Sequence, residues 1–354
     1  MENIKSSNPT QKVFSVLSKV IPPLIGILIC IALIYFFSNN AEEALESLFL
    51  GSFNSPYYFG AFLTQAGFLL LAGTGAAFAY KSGNMNLGGE GQIYLGGFSS
   101  CMILIFVKGN PLLIFLLALA ASLLSGALMA GFSAFLKEKR NALPLLTSFL
   151  LSSAVIPLID GLIMATKSNS STNMLSLPYI DEVYRLKHIL PPSPLTISIF
   201  VSFGICFLSW LIFTKSKFGK EMAIWGISEE FARYSGFSSK KNSYLSLYIS
   251  GALHGLTGFF AVTGSYYTCH KDFYLGMGWN ALNVTLLASS NPLLLIPFSL
   301  FLGWLYSSAD RVALTQGFGF DISAIIQGVV LFTTAIPLIS KKVLSARKEV
   351  SNHE

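Results

Sequence analysis

An all-α polytopic membrane protein, with about ten transmembrane or broken helices and both termini cytoplasmic, is the fold class this sequence predicts. Three observations carry that expectation. Only 11% of the 354 residues are charged, 53% are hydrophobic and the mean hydropathy is +0.62, whereas a soluble domain carries about 25% charged residues. The apolar residues fall in blocks such as LLIFLLALAASLLSGALMAGFSAFL, Leu112 to Leu136, and about 20 apolar residues match the thickness of a bilayer core. Lys and Arg cluster in segments that alternating spans would place on one side.

In chain order, residues 1–20 are polar and basic, a cytoplasmic N-terminal segment ahead of the run Ile21 to Phe37. That run leads into SNNAEEALESL without a small-x-small cleavage site, so a retained first helix is expected rather than a signal peptide. Further spans fall near 58–80, 86–107, 111–136, 142–165, 194–213, 243–263, 279–290, 292–308 and 322–340. The region 21–340 is expected to be one transmembrane domain, followed by a basic tail, 341–354. The span 279–290 is too short to cross a bilayer and runs into the turn signal SSNP, Ser289 to Pro292. It reads as a broken helix, tolerated where backbone lines a cavity.

With ten spans, four basic segments share the cytoplasmic face: Lys5, Lys12 and Lys19; KEKR, Lys137 to Arg140; the loop 214–242; and the tail. The opposite face receives AEEALES, Ala41 to Ser47, and the outer loop 166–193. Cytoplasmic loops thus account for the net charge of +6, and no nucleic-acid partner is expected. Cys30, Cys101, Cys206 and Cys269 are scattered and read as packing residues, with no metal-ligand spacing. No nucleotide-binding P-loop is present, because FGK, Phe218 to Lys220, lacks its glycine and its Ser/Thr. If ATP drives this protein, another chain binds it.

Two polar stretches break the apolar pattern. In KSGNMNLGGEGQIYLGG, Lys81 to Gly97, the helix 58–80 ends at Lys81 with Gly83 as a stop, and the chain re-enters the membrane. Burying Glu90 ionised costs at least about 2.5–3.5 kcal/mol, so it should be paired, protonated or near the boundary. Either Asn84, Asn86, Glu90 and Gln92 line a solute path, or Glu90 and Gln92 tie broken helices together. The second role is favoured, since buried polar groups more often satisfy one another. Trp279, Asn280, Asn283 and Thr285 offer an aromatic face and amides suited to a purine-like solute, with interhelical packing the equal alternative. The other stretch, FGKEMAIWGISEEFARYSGFSSKK, Phe218 to Lys241, reads as short amphipathic helices, with Ser228 at a start and Gly236 at a stop. A solvated basic loop is the plain alternative to a docking helix.

Two rival classes have residues to offer. A proton-coupled secondary transporter could use Glu90, with only Asp160, Asp310 and Asp321 to extend a relay. An intramembrane serine protease would need Ser133 of GFSA and His254 to meet at one depth. His188, His270 and His353 form no site.

The motifs themselves are similar to those of a known family. EFARYSG, Glu230 to Gly236, resembles the Glu-Ala-Ala…Gly coupling motif of permease subunits of ATP-binding-cassette importers. AFAYKSGNMNLGGEGQIYLGG, YISGALHGLTGFFAVTGSYY, ALNVTLLASSNPL and DISAIIQGVVLF resemble further motifs of the nucleoside, ribose-type sugar and branched-chain amino acid branch, in order from Ala77 to Phe332. Nucleoside permeases look nearest. They usually carry a Glu and an Asn where this chain has Ala142, Pro144, Ser152 and Ser153, and a Gly and a basic residue near Ala288.

The resemblance implies a transport subunit that is not an enzyme and sits in a bacterial inner membrane. Glu221, Gly226, Glu230, Ala232, Arg233 and Gly236 would couple it to ATPase subunits. Its other partners would be a second permease subunit, homologous or identical, and an extracytoplasmic substrate-binding protein or lipoprotein. No cofactor is expected on this chain, ATP and Mg being bound by the ATPase. Nucleosides lead as solute, then pentose-type sugars, then a flavin-like vitamin.

Overall fold

A computed structural model describes residues 9–38, 40–166, 175–316 and 324–333. Residues 1–8, the tail 341–354, Asp321 and His353 lie outside the described residues, as do parts of the expected 322–340 span and the 166–193 loop. The described chain is helical, with isolated bridges in place of strands. Two compact units are distinguished: one formed by Met1–Gly51 with Ser308–Glu354, the other by Ser52–Ser307.

The first unit contains α1 (Pro9–Phe37) and α2 (Ala41–Leu50). Helix α1 reaches back into the segment expected to be a polar lead, because Pro9 at its first position is pre-shaped for a helix start. Helix α2 occupies AEEALES, expected only as outer loop. Asn40 caps it, its Oδ1 accepting from Glu43 N at 3.4 Å while its Nδ2 donates to Glu43 Oε2 at 3.2 Å. That is a reciprocal cap. Ser38 Oγ donates to Gln316 Oε1 at 2.7 Å, and Arg311 Nη1 donates to the Gly51 carbonyl.

The larger unit opens with α3 (Pro56–Lys81), buried almost continuously from Phe62 to Ala79. Along the chain follow α4 (Gly89–Phe106), α5 (Pro111–Arg140), α6 (Pro144–Ala165) and α7 (Ser198–Lys215), of which α7 packs on α3 while α4, α5 and α6 pack on one another. After the short α8 (Lys217–Ile227) and α9 (Glu229–Tyr234), α10 (Ser239–Ala261) returns through the bundle and closes in a π-helical turn, Val262–Tyr266. Helix α11 (Met277–Leu287) is the broken helix, and α12 (Pro292–Gln316) follows a turn in which Ser289 and Ser290 take positive φ. Among the described residues six helices (α3, α5, α6, α7, α10 with its π turn, and α12) are long and apolar enough to cross a membrane; Leu24–Phe37 and Ala324–Thr333 are shorter apolar helices.

Helix α5 runs through KEKR to Arg140, further than hydropathy suggests. Three basic side chains in its last turn complement the negative end of the helix dipole, and Asn141 stops it in a left-handed conformation, φ 54°. The outward faces carry large exposed apolar side chains, among them Leu124, Leu128, Leu150, Leu158, Phe200 and Phe207. Such a surface calls for lipid.

Small residues set the closeness of α10 to its neighbours. A Cβ on Gly251 would overlap the Gly126 carbonyl, and one on Gly255 would overlap the Ser122 carbonyl. Both neighbours are backbone and cannot rotate away, the small-xxx-small logic of membrane helices. Gly255→Leu is therefore expected to lower the melting temperature of the solubilised protein by at least about 5 °C. Gly204→Ala, where a Cβ meets nothing within 4 Å, should leave it unchanged; equal effects would contradict this packing.

Contacts gather the basic segments of this unit at one end. Lys137 Nζ donates to Asn84 Oδ1 at 2.7 Å, Ser239 and Ser243 donate to Glu138, and Lys241 lies 3.8 Å from Glu221. At the other end, Leu186 N donates to the Thr263 carbonyl and Leu177 N to the Cys269 carbonyl.

Candidate functional site: the junction of two broken helices

The chain from Ser82 to Gly88 enters the bundle without helix, which leaves its amides to be satisfied by side chains. Leu87 N donates to Ser148 Oγ at 2.9 Å, Gly91 N to Ser152 Oγ at 2.8 Å and Gly88 N to Asn86 Oδ1 at 2.9 Å. Ser148 and Ser152 of α6 thus hold the re-entrant backbone, in the region where the sequence departs from nucleoside permeases.

The buried amides close on one another. Asn86 Nδ2 donates to Gln92 Oε1 and to Ser250 Oγ, both at 2.9 Å, and Gln92 Nε2 donates back to Asn86 Oδ1 at 3.0 Å. The His254 ring bridges Gln92 Oε1 at 2.7 Å and the Ala72 carbonyl at 3.1 Å. Asn84 is bonded to Ser82 Oγ at 3.0 Å and to Lys137. Asn84, Asn86 and Gln92 are all buried, so their polar atoms are spent inside the bundle. His254, engaged through both nitrogens, is not paired with Ser133, and the hydrolase arrangement is absent.

Glu90 is placed differently. Gly88 ends the extended stretch, and α4 starts beside the start of α11. A Cβ on Gly278 would come within 2.7 Å of Glu90 Cγ, and one on Gly89 within 3.4 Å of His254 Cε1. The Glu90 carboxylate sits against the backbone amides of Gly276, Trp279 and Gly278, in the first turn of α11. The N-terminal end of a helix dipole favours negative charge there. Its Oε1 is buried and has no hydrogen-bond partner. Glu90 and Trp279 are half-buried, while Asn280, Asn283 and Thr285 are buried. The Trp279 ring lies 6.3 Å from Phe149. Thr285 Oγ donates to the Gly73 carbonyl at 2.8 Å, tying α11 to α3. The eight polar-stretch residues expected at a path or hinge therefore divide: Glu90, whose Oε1 is itself buried, and Trp279 are half-buried, and the other six are buried against protein.

The α8–α9 segment forms a knob at the basic end. Ser228 caps α9, its Oγ accepting from Phe231 N at 3.2 Å. Gly236 ends it at φ +76° with nothing within 4 Å of a Cβ. Ile227, Phe231 and Tyr234 are 87%, 61% and 85% exposed, so the knob's tip is apolar and uncovered. Glu230 and Arg233 are exposed beside them, Arg233 bonded to Glu229 at 3.0 Å. Ala232 is buried, Glu221 lies between Lys217 and Lys241 at 3.8 Å from each, and Gly226 backs onto the Lys81 carbonyl. Glu221, Gly226 and Ala232 seat the knob; Glu230, Arg233 and Gly236 face outward.

Sequence reasoning missed a cavity of about 370 Å³ at the other end, lined by Tyr57, Gln65, Phe68, His188, Ser265 and Tyr266 among others. Nearby, burial holds the His270 imidazole below its ordinary range, with Asp272 opposing the shift. Only Gly and aromatic enrichment in GSYY hinted at that region.

A helical bundle with six helices long and apolar enough to cross a membrane, a re-entrant polar segment and an apolar knob at one end is the architecture of a multi-pass membrane protein, and similarity to known families makes it a permease subunit rather than an enzyme. The chain belongs to the family described as the permease component of branched-chain amino acid transport systems, whose model matches residues 58–335. Among curated proteins, the probable riboflavin import permease protein RfuC of Treponema pallidum (strain Nichols) is 32% identical over 305 residues, 84% of this chain and 80% of that one. The guanosine ABC transporter permease protein NupP of Bacillus subtilis (strain 168) is 25% identical over 90% of this chain and 94% of its own. The nucleoside ABC transporter permease protein NupB of Lactococcus lactis subsp. cremoris (strain MG1363) is 24% identical over 95% and 96%.

Proposed function

We propose that this chain is the membrane-spanning subunit of an ATP-driven importer in a bacterial inner membrane, and that it moves a neutral nitrogen heterocycle, riboflavin first and nucleosides next. The observation that carries the reading is the half-buried Glu90 side chain, set against the backbone of the half-buried Trp279 where α4 and α11 both begin. Isoalloxazine and guanine rings each offer an N–H donor on a flat aromatic body, matching a carboxylate acceptor beside an aromatic face. The riboflavin and guanosine permeases among its relatives support the same order and move pentose-type sugars behind both.

Ten spans, counting α11 as a broken one, put the basic end and both termini in the cytoplasm. An ATPase subunit would seat on the Ile227–Phe231–Tyr234 knob, with ATP and Mg bound on that partner. A second permease subunit would face the Glu90 surface, and an extracytoplasmic binding protein would deliver solute to the far end. ATP-driven closure of the ATPases would move α8 and α9. Because Gly226 abuts the end of α3, that motion would reach a helix buried along most of its length.

Uptake into proteoliposomes holding the co-purified complex tests this. Riboflavin or guanosine should accumulate only with internal ATP and persist when the proton gradient is collapsed. Uptake that ignores ATP and stops with the gradient would replace this reading with a proton-coupled carrier using Glu90.

A further inference from the structure

We infer that the cavity at the end remote from the knob is a second solute site on this chain, where a neutral, planar, hydrogen-bonding heterocycle lodges away from the Glu90 junction. The inference rests on the importer reading and adds a site to it.

At about 370 Å³ the cavity falls within the 300–1,000 Å³ range of small-molecule sites. Its walls are the flat side chains of Tyr57, Phe68 and Tyr266, which suit an aromatic ring. No Lys, Arg, Asp or Glu lines it and the His188 ring is already bonded to Tyr267 Oη, so a phosphate or zwitterion would lose its hydration without a guanidinium, ammonium or carboxylate partner. Gln65 and Ser265 offer polar groups to a ligand. The Gln65 side chain lines the cavity, and its amide offers both a donor and an acceptor. Ser265 Oγ is buried with no partner, a cost that a ligand's polar atom would remove.

The backbone beneath is unusual in a way that bears on this. Ser265 and Tyr266 belong to the π-helical turn Val262–Tyr266, and Tyr267 follows at φ +58°. An uninterrupted α-helix would carry these side chains at another angle. Such turns and left-handed non-glycine residues cost free energy and recur at binding sites. Leu186 N donates to the Thr263 carbonyl at 2.9 Å, Tyr267 Oη bonds His188 Nε2, and the Arg185 guanidinium lies 5.0 Å from the Tyr267 ring centre. The strained turn is therefore held from the 175–197 segment, and the site is formed before any ligand arrives.

Ala61 lines the same cavity, and the four native cysteines are buried, so Ala61→Cys provides a local reporter. With the complex in nanodiscs, maleimide alkylation of this cysteine should slow at least about tenfold in saturating riboflavin or guanosine and remain unchanged in ribose. Adding Gln65→Leu should remove most of that protection. Tyr57→Ala, at a side chain already 47% exposed and so of little consequence for folding, should weaken it as well. Alkylation untouched by a solute that the same preparation imports would overturn the second site and leave the importer reading standing. Protection without import of any solute would sustain the site and sink the importer.

Discussion

Gly236→Trp is expected to leave the chain inserted and extractable in normal yield while reducing ATP-dependent uptake at least about tenfold. Gly236 sits at φ +76°, the left-handed region that costs an L-residue about 1–2 kcal/mol. Relieving that strain would unwind the stop of α9 and re-aim Phe231 and Tyr234, whose apolar rings are exposed for a partner. Open space around its Cβ position means that the bulk of tryptophan alone creates no clash within the chain. The loss should therefore appear in coupling, read as ATP hydrolysed per solute imported, rather than in membrane insertion. Normal import by this variant would remove α9 from the docking role.

Glu90→Ala should also lower uptake at least about tenfold, since a hydrogen bond to a charged group contributes about 1.5–3 kcal/mol. The effect should appear chiefly as a raised KM, with the ATPase still bound. Asn86→Leu provides the contrast. It would strip partners from Gly88 N, Gln92 and Ser250, so a lower melting temperature is expected, about 5 °C or more. If Glu90→Ala instead lowered the melting temperature and left KM unchanged, Glu90 would be a tie between helices, and the solute contact would lie elsewhere.

Much of this arrangement was legible in the sequence because it is written in local chemistry. Ser228 and Gly236 marked both ends of α9, Gly83 marked the turn after α3, and the short run before SSNP announced α11. The small residues of SGALHGLTG are a readable sign of close helix contact, which Gly251 and Gly255 make. The division within the polar stretches was not legible. Asn86 and Gln92 look as suited to solute as Glu90, and only the fold shows that they bond to each other, to Ser250 and to His254. Helix α2 was hidden by acidic composition, although Asn40 and Glu43 formed a readable cap. The remote cavity joins Gln65, His188 and Ser265 across distant stretches of chain, and its π turn leaves no periodic mark.

The proposed function requires a separate ATPase docked on the α8–α9 knob. Mild solubilisation of the tagged wild type, beside a Glu230→Ala/Gly236→Trp double variant, tests it most directly. A P-loop ATPase should co-purify with the wild type and be lost from the variant. An ATPase retained by both, or recovered with neither, would contradict it.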